Sequence, residues 1–73
     1  MNYAIEQRLR FIDVLLDHYG TINRAALMDY FGISTPQASK DLRLYFGAAP
    51  DNAEYDRVAK TYRRTDTFRR AYP

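Results

Sequence analysis

Residues 30–42 read YFGISTPQASKDL, and this stretch constrains the fold more than any other. Both flanks have helical spacing, yet a glycine and a proline stand four positions apart between them. Gly32 permits the positive φ of a sharp turn, which a side chain with a Cβ resists. Ser34 offers a hydroxyl to the free amides of the next helix. Gln37, three residues on, completes an S-x-x-Q capping box, in which its side chain reaches back to the cap residue. Pro36 falls in the first turn, where no amide partner is lost, so it starts a helix rather than breaking one. Gly32, an inward-turned Ile33 and the cap together set a tight corner between two helices.

Upstream, AIEQRLRFIDVLLDHY places Ile5, Leu9, Ile12, Leu16 and Tyr19 at steps of four and three, with Phe11 and Leu15 beside them. That period predicts an amphipathic helix from Tyr3 to Tyr19, stopped by Gly20 in a left-handed conformation. TIN, residues 21–23, is long enough only for a short strand with Ile22 inward and Asn23 as the next cap. A second helix, Arg24 to Phe31, has Leu27, Tyr30 and Phe31 at helical spacing. At barely two turns it needs neighbours to hold it. The third helix runs from the Ser34 cap to Phe46, with Ala38, Leu42 and Tyr45 as its inner face and the small Ala38 admitting a close helix contact.

Beyond Gly47 the pattern changes to turn formers, AAPDNA, and then to EYDRVAKTYRR. The latter reads as a hairpin looping at Arg57 to Lys60, with Tyr55 opposite Tyr62 and Glu54 opposite Arg63, pairs that favour cross-strand packing. TDTFRRAYP has no period and reads as a C-terminal tail or linker, residues 65–73. Residues 1–64 then form one small domain with a thin core. The expected class is mainly α with a small β-hairpin, an α+β fold.

Composition narrows the chemistry. The chain has no cysteine, which excludes disulfides and thiolate metal sites and fits a reducing cytoplasm. No apolar run reaches the ~20 residues that span a bilayer, and the N-terminus lacks a signal layout. The expectation is a soluble, cytoplasmic chain with no membrane partner. Net charge is only +2, but residues 1–33 hold three Lys/Arg against four Asp/Glu, whereas residues 34–73 hold eight against five. The basic half begins at the third helix.

Opposite Ala38, Leu42 and Tyr45, the third helix presents Pro36, Lys40 and Arg43, with Gln37 and Ser39 on its edges. Such residues suit the major groove of a duplex. Lysine and arginine reach guanine O6/N7 or phosphate, and glutamine makes bidentate contacts with adenine. Thr35, Gln37 and Ser39 are the candidate base or phosphate readers, and Lys40 and Arg43 the anchors. The plainer alternative is that Lys40 and Arg43 only solvate an exposed face.

Helix, short strand, helix, tight turn, helix, hairpin is the order of a winged helix-turn-helix, three helices plus a wing. FGIS followed by QASKDL resembles the winged-helix DNA-binding domains of DeoR-like bacterial transcription regulators. INR, FGISTPQASKDLRLY and YDRVAKTY, taken together, are most similar to the N-terminal domain of repressors that carry a C-terminal WYL ligand-sensing domain, a group that includes regulators of phage-defence islands. The resemblance covers residues 8–64. Regulators of that group are several times longer, and these 73 residues hold no WYL segment, so the likeness extends to the DNA-reading part alone. It implies sequence-specific binding of double-stranded DNA by a transcriptional regulator of the repressor type, as a homodimer on an inverted repeat.

Within that frame, Ser34, Thr35, Pro36, Gln37, Ser39, Lys40 and Arg43 meet the major groove, while Arg57, Lys60 and Arg64 grip backbone or minor groove from the wing. Asn23 and Arg24 stand at the start of the second helix, where free amides and the helix dipole attract phosphate. Asn23 serves equally well as a plain cap. The plainer alternative for the wing cations is a charged strand edge that discourages aggregation, and Glu54 competes for Arg63. Asp41 is expected to pair with a nearby arginine.

Other chemistry has little support. His18 is the single histidine and complements the end of the first helix. No phosphate loop, metalloprotease motif or nucleophile–base pair occurs, so neither catalysis nor a cofactor is expected. Asp13 and Asp17 share a helix face and are read as solvated. Tyr3, Tyr19, Tyr30 and Tyr45 invite the idea of single-strand stacking, but core packing is the simpler account of most of them. The rival function is a protein-interaction module on the same scaffold.

Overall fold

The computed structural model describes residues 2–73, and its elements follow the sequence closely. Helix α1 spans Tyr3–Tyr19, β1 Thr21–Ile22, α2 Arg24–Phe31, α3 Thr35–Ala48, β2 Ala53–Asp56 and β3 Thr61–Arg64. Asn2 caps α1 by accepting the Ile5 amide at 2.9 Å, and Gly20 ends it at φ +77°. Gly32 ends α2 at φ +64° and donates its amide to the Met28 carbonyl. Two helices therefore stop on left-handed glycines, as helix C-termini commonly do.

Three helices pack around one apolar centre formed by Leu9, Ile12, Leu16, Ile22, Leu27, Ala38, Leu42 and Tyr45. Ala38 is fully buried there, consistent with the close approach its size allows. The sheet has the order β1-β3-β2 and is antiparallel throughout. Tyr55 pairs with Tyr62 and Glu54 with Arg63, the expected register, while Thr21 and Ile22 pair with Arg63 and Tyr62. β1 thereby ties the wing to the helical body. Stacking of Phe46 on Tyr62, centroids 4.6 Å apart, adds a second tie from α3.

Several expectations are corrected. α3 continues through Gly47 to Ala48, because the next turn formers begin only at Pro50. The capping box is half formed: Ser34 Oγ accepts the Gln37 amide at 3.3 Å, but the Gln37 side chain donates to Asp41 at 2.9 Å instead of reaching back. An ionised carboxylate is a stronger acceptor of that amide than the cap backbone is a donor to it. Arg63 bonds Asp56 at 2.8 Å rather than Glu54. Tyr3, Tyr19 and Tyr30 are 75%, 76% and 71% exposed, so core packing accounts only for Tyr45 among the four helical tyrosines. Tyr30 instead lies stacked on Phe11 at 4.7 Å on the outside of α1 and α2.

The largest correction concerns Asp13 and residues 65–73. Asp13 is fully buried rather than solvated. It accepts the Tyr45 hydroxyl at 2.5 Å, Arg70 Nε at 2.7 Å, the Tyr72 amide at 2.8 Å and the Ala71 amide at 3.0 Å. The segment expected to be a tail has no helix or strand, yet it lies back across α1 and α3. Asn52 also holds it, accepting the Arg69 amide at 3.0 Å and donating to the Arg69 carbonyl at 2.8 Å. Phe68 and Tyr72 pack on the core from this strap. Asp17 takes only a longer contact from Arg70, 3.5 Å. Burial opposes ionisation of Asp13, but the bonds from Tyr45, Ala71, Tyr72 and Arg70 outweigh it and hold the carboxyl below its usual range. Burial, then the bond to Asp13, pushes the Tyr45 hydroxyl far up.

Candidate nucleic-acid interface

The corner at Gly32 aims α3 so that Ala38, Leu42 and Tyr45 face the core while Lys40 and Arg43 stand in solvent. Ser34, Thr35 and Pro36 are exposed in its first turn, and Gln37 and Ser39 are half-buried on its edges. Ser34 is committed to the cap. Thr35 leans back on α2, its hydroxyl 3.5 Å from Met28 Sδ. Gln37 gives one amide hydrogen to Asp41, which also takes Arg8 Nε at 2.5 Å. The chain Arg8–Asp41–Gln37 fixes the Gln37 amide plane and leaves its carbonyl and second hydrogen free. Asp41 pairs with an arginine as expected, and the partner is Arg8 of α1.

Between the start of α2, the middle of α3 and the hairpin lies a cleft. Asn23 and Arg24 come from α2, Ser39, Leu42 and Arg43 from α3, and Tyr55, Lys60 and Tyr62 from the hairpin. Three elements thus bring Arg24, Arg43 and Lys60 to one concavity, and among the described residues no carboxylate lines it. Asn23 Oδ1 caps α2 through the Ala26 amide at 3.0 Å, so its carbonyl oxygen is committed to the helix start. Arg24 crosses to Ser39 Oγ at 3.2 Å, linking α2 and α3 at the mouth.

Not every candidate gathers there. Arg57 is exposed at the hairpin tip, outside the cleft. Arg64 is turned the other way: its guanidinium donates to the carbonyls of Asp17 at 2.6 Å and Leu16 at 3.3 Å. The last carbonyls of a helix carry partial negative charge, and Arg64, the last residue of β3, is held beside the end of α1 by its amide bond to the Gly20 carbonyl and so is well placed to satisfy them. Arg64 closes α1 in this structure. Tyr55 was missed as a cleft residue. Strand alternation carries the signal, since Tyr55 and Asp56 point to opposite faces and the cross-strand partner Tyr62 also lines the cleft. Among the described residues no helix is long and apolar enough to cross a membrane.

The family profile described as the BrxR transcriptional regulator winged helix-turn-helix domain matches residues 4–72. The DNA-binding transcriptional repressor CapW of Escherichia coli strain KTE188 is 54% identical over 67 residues, which are 92% of this chain and 22% of that protein. CapW of Pseudomonas aeruginosa is 50% identical over 68 residues, 93% of this chain and 23% of that protein. CapW of Stenotrophomonas maltophilia is 51% identical over 69 residues, with 94% and 23% covered. The chain therefore spans under a quarter of the length of these relatives. Its three helices and hairpin, with a profile match over nearly its whole length, place the chain in the BrxR family of winged helix-turn-helix domains.

Proposed function

We propose that the chain binds double-stranded DNA sequence-specifically, as the reading domain of a transcriptional repressor, and has no catalytic role. One observation carries this reading: three cations from three separate elements converge on an acid-free cleft beside the solvent-facing side of α3. A face that only kept itself solvated would have no reason to collect cations from α2, α3 and the hairpin in one concavity. The names of the CapW relatives point the same way.

In this reading α3 lies in the major groove. Lys40 and Arg43 reach guanine edges or phosphate, the pre-set Gln37 amide and Ser39 face base edges, and Thr35 and Pro36 pack at the groove wall. Arg24, Asn23 and the free amides of α2 clamp one backbone phosphate, and Lys60 and Arg57 meet the flank. Such a domain acts where DNA is, in the bacterial cytoplasm, and gains specificity as a homodimer on an inverted repeat.

Selection from a random duplex pool, followed by anisotropy titration at low salt, tests the proposal. Wild type should enrich a defined sequence. The double variant Lys40→Ala, Arg43→Ala should lose about tenfold or more in affinity, each lost base contact counting ~1–3 kcal/mol. Unchanged binding by that double variant, with its melting curve intact, overturns the placement of α3 and favours a protein-interaction module.

A further inference from the structure

The tip of the wing is built on Asp56. Its Oδ1 accepts the amides of Val58 and Ala59 at 2.9 and 3.0 Å, and its Oδ2 takes Arg63 Nε at 2.8 Å. Lys60 then closes the turn at φ +54°, the one positive φ at a non-glycine position among the described residues. This arrangement pushes Val58 outward. It is 95% exposed, more than any other large apolar side chain described. An apolar, β-branched residue there stabilises nothing in the free domain, and it stands beside Arg57 and one residue from Ala59–Lys60, on the hairpin whose Lys60 lines the cleft.

We propose that Val58 is a specificity-determining residue that reads the minor groove beside the α3 site, and that Asp56 is the positioning residue that presents it. This rests on the DNA-binding reading above. The groove chemistry makes the preference definite. In the minor groove an A·T pair shows only the acceptors N3 and O2, whereas G·C adds the N2 amine of guanine. An isopropyl group pressed on that amine would strip its water and return no hydrogen bond, an uncompensated loss. Over A·T it meets a floor free of donors. A·T-rich minor grooves are also narrow and strongly negative, which draws Arg57 and Lys60 to either side. Apolar side chains inserted beside cations are a known means of minor-groove binding.

The test uses a duplex selected by wild-type chain, in which flanking A·T pairs protected from minor-groove cleavage are replaced by G·C or by inosine·C. Inosine lacks the N2 amine but shows the major-groove edge of guanine. Wild type should bind the A·T and inosine·C duplexes alike and the G·C duplex about fivefold or more weakly, the usual scale of one mismatch. Val58→Ser should bring that ratio close to one. Asp56→Ala should do the same, and Asp56→Asn, whose Oδ1 still accepts both amides, should restore it. Equal binding to G·C by wild type, an inosine·C duplex as weak as G·C, discrimination that survives Val58→Ser, or no rescue by Asp56→Asn each overturns the proposal. Melting curves check that each variant folds, and Val58→Ser, at a fully solvated tip, decides the matter should Asp56→Ala unfold. Failure of wild type to select or bind any duplex is a different result and sinks the DNA-binding reading itself.

Discussion

Asp13, fully buried, gathers four donors from α3 and residues 65–73. Ionised carboxylates are costly to bury, and one persists here because a phenol, a guanidinium and two backbone amides meet it. Asp13→Ala would leave Arg70 and the Tyr45 hydroxyl without their acceptor, a loss of about 3–5 kcal/mol, against a whole-domain stability of roughly 5–15 kcal/mol. Denaturant melts should show that loss. The pH dependence has a definite sign. The folded carboxyl has a lowered pKa, so its contribution is full above the unfolded value of about 3.9 and disappears as pH falls through the folded one. Stability should drop below about pH 4, and Asp13→Asn should weaken that dependence. Half of the signal lay in the sequence. Leu9, Asp13 and Leu16 sit at inner-face spacing, but carboxylates favour water and the partners are 32–59 residues away in the chain.

At the scale of elements, two glycines of the same chain should respond oppositely to one substitution. Gly32 sits at φ +64° at the corner that aims α3, with open space where a Cβ would be. Gly32→Ala therefore meets no clash and carries only the left-handed strain of about 1–2 kcal/mol. Gly47 lies inside α3 with normal φ and equally open space, so Gly47→Ala should gain about 0.5–1 kcal/mol. In a domain this size each kcal/mol moves Tm by about 4–8 °C. Calorimetry should find Tm falling for the first variant and rising for the second. If both move the same way, left-handed strain is not what Gly32 relieves. The caps Asn23 and Ser34 and the glycine stops were legible because this chemistry is local, each cap accepting an amide three residues on; Asn2, which caps α1 in the same way, was not read from the sequence.

At the scale of the molecule, the cationic cleft exists only after folding, since Arg24, Arg43 and Lys60 come from three elements. With three to five phosphate contacts per domain, the slope of log affinity on log salt should be about −3 to −5. Arg24→Ala should make it shallower by about one, read by titration across a salt series. Arg64→Ala should leave the slope unchanged and lower stability instead, because that guanidinium closes α1. A slope near zero for wild type would mean that the cleft does not hold phosphate. Tyr3 and Tyr30 stay exposed on the helices, Tyr30 stacked on the half-buried Phe11.

Helical period, glycine stops, the serine cap and the hairpin register were all set by residues within a few positions of one another, and interactions of that range are written directly in the order of the chain. The cleft, the burial of Asp13, the docking of residues 65–73 and the diversion of Arg64 to a helix end depend on groups tens of residues apart. Their partners are chosen by competition among many possible donors and acceptors. Only packing in three dimensions settled which of them met.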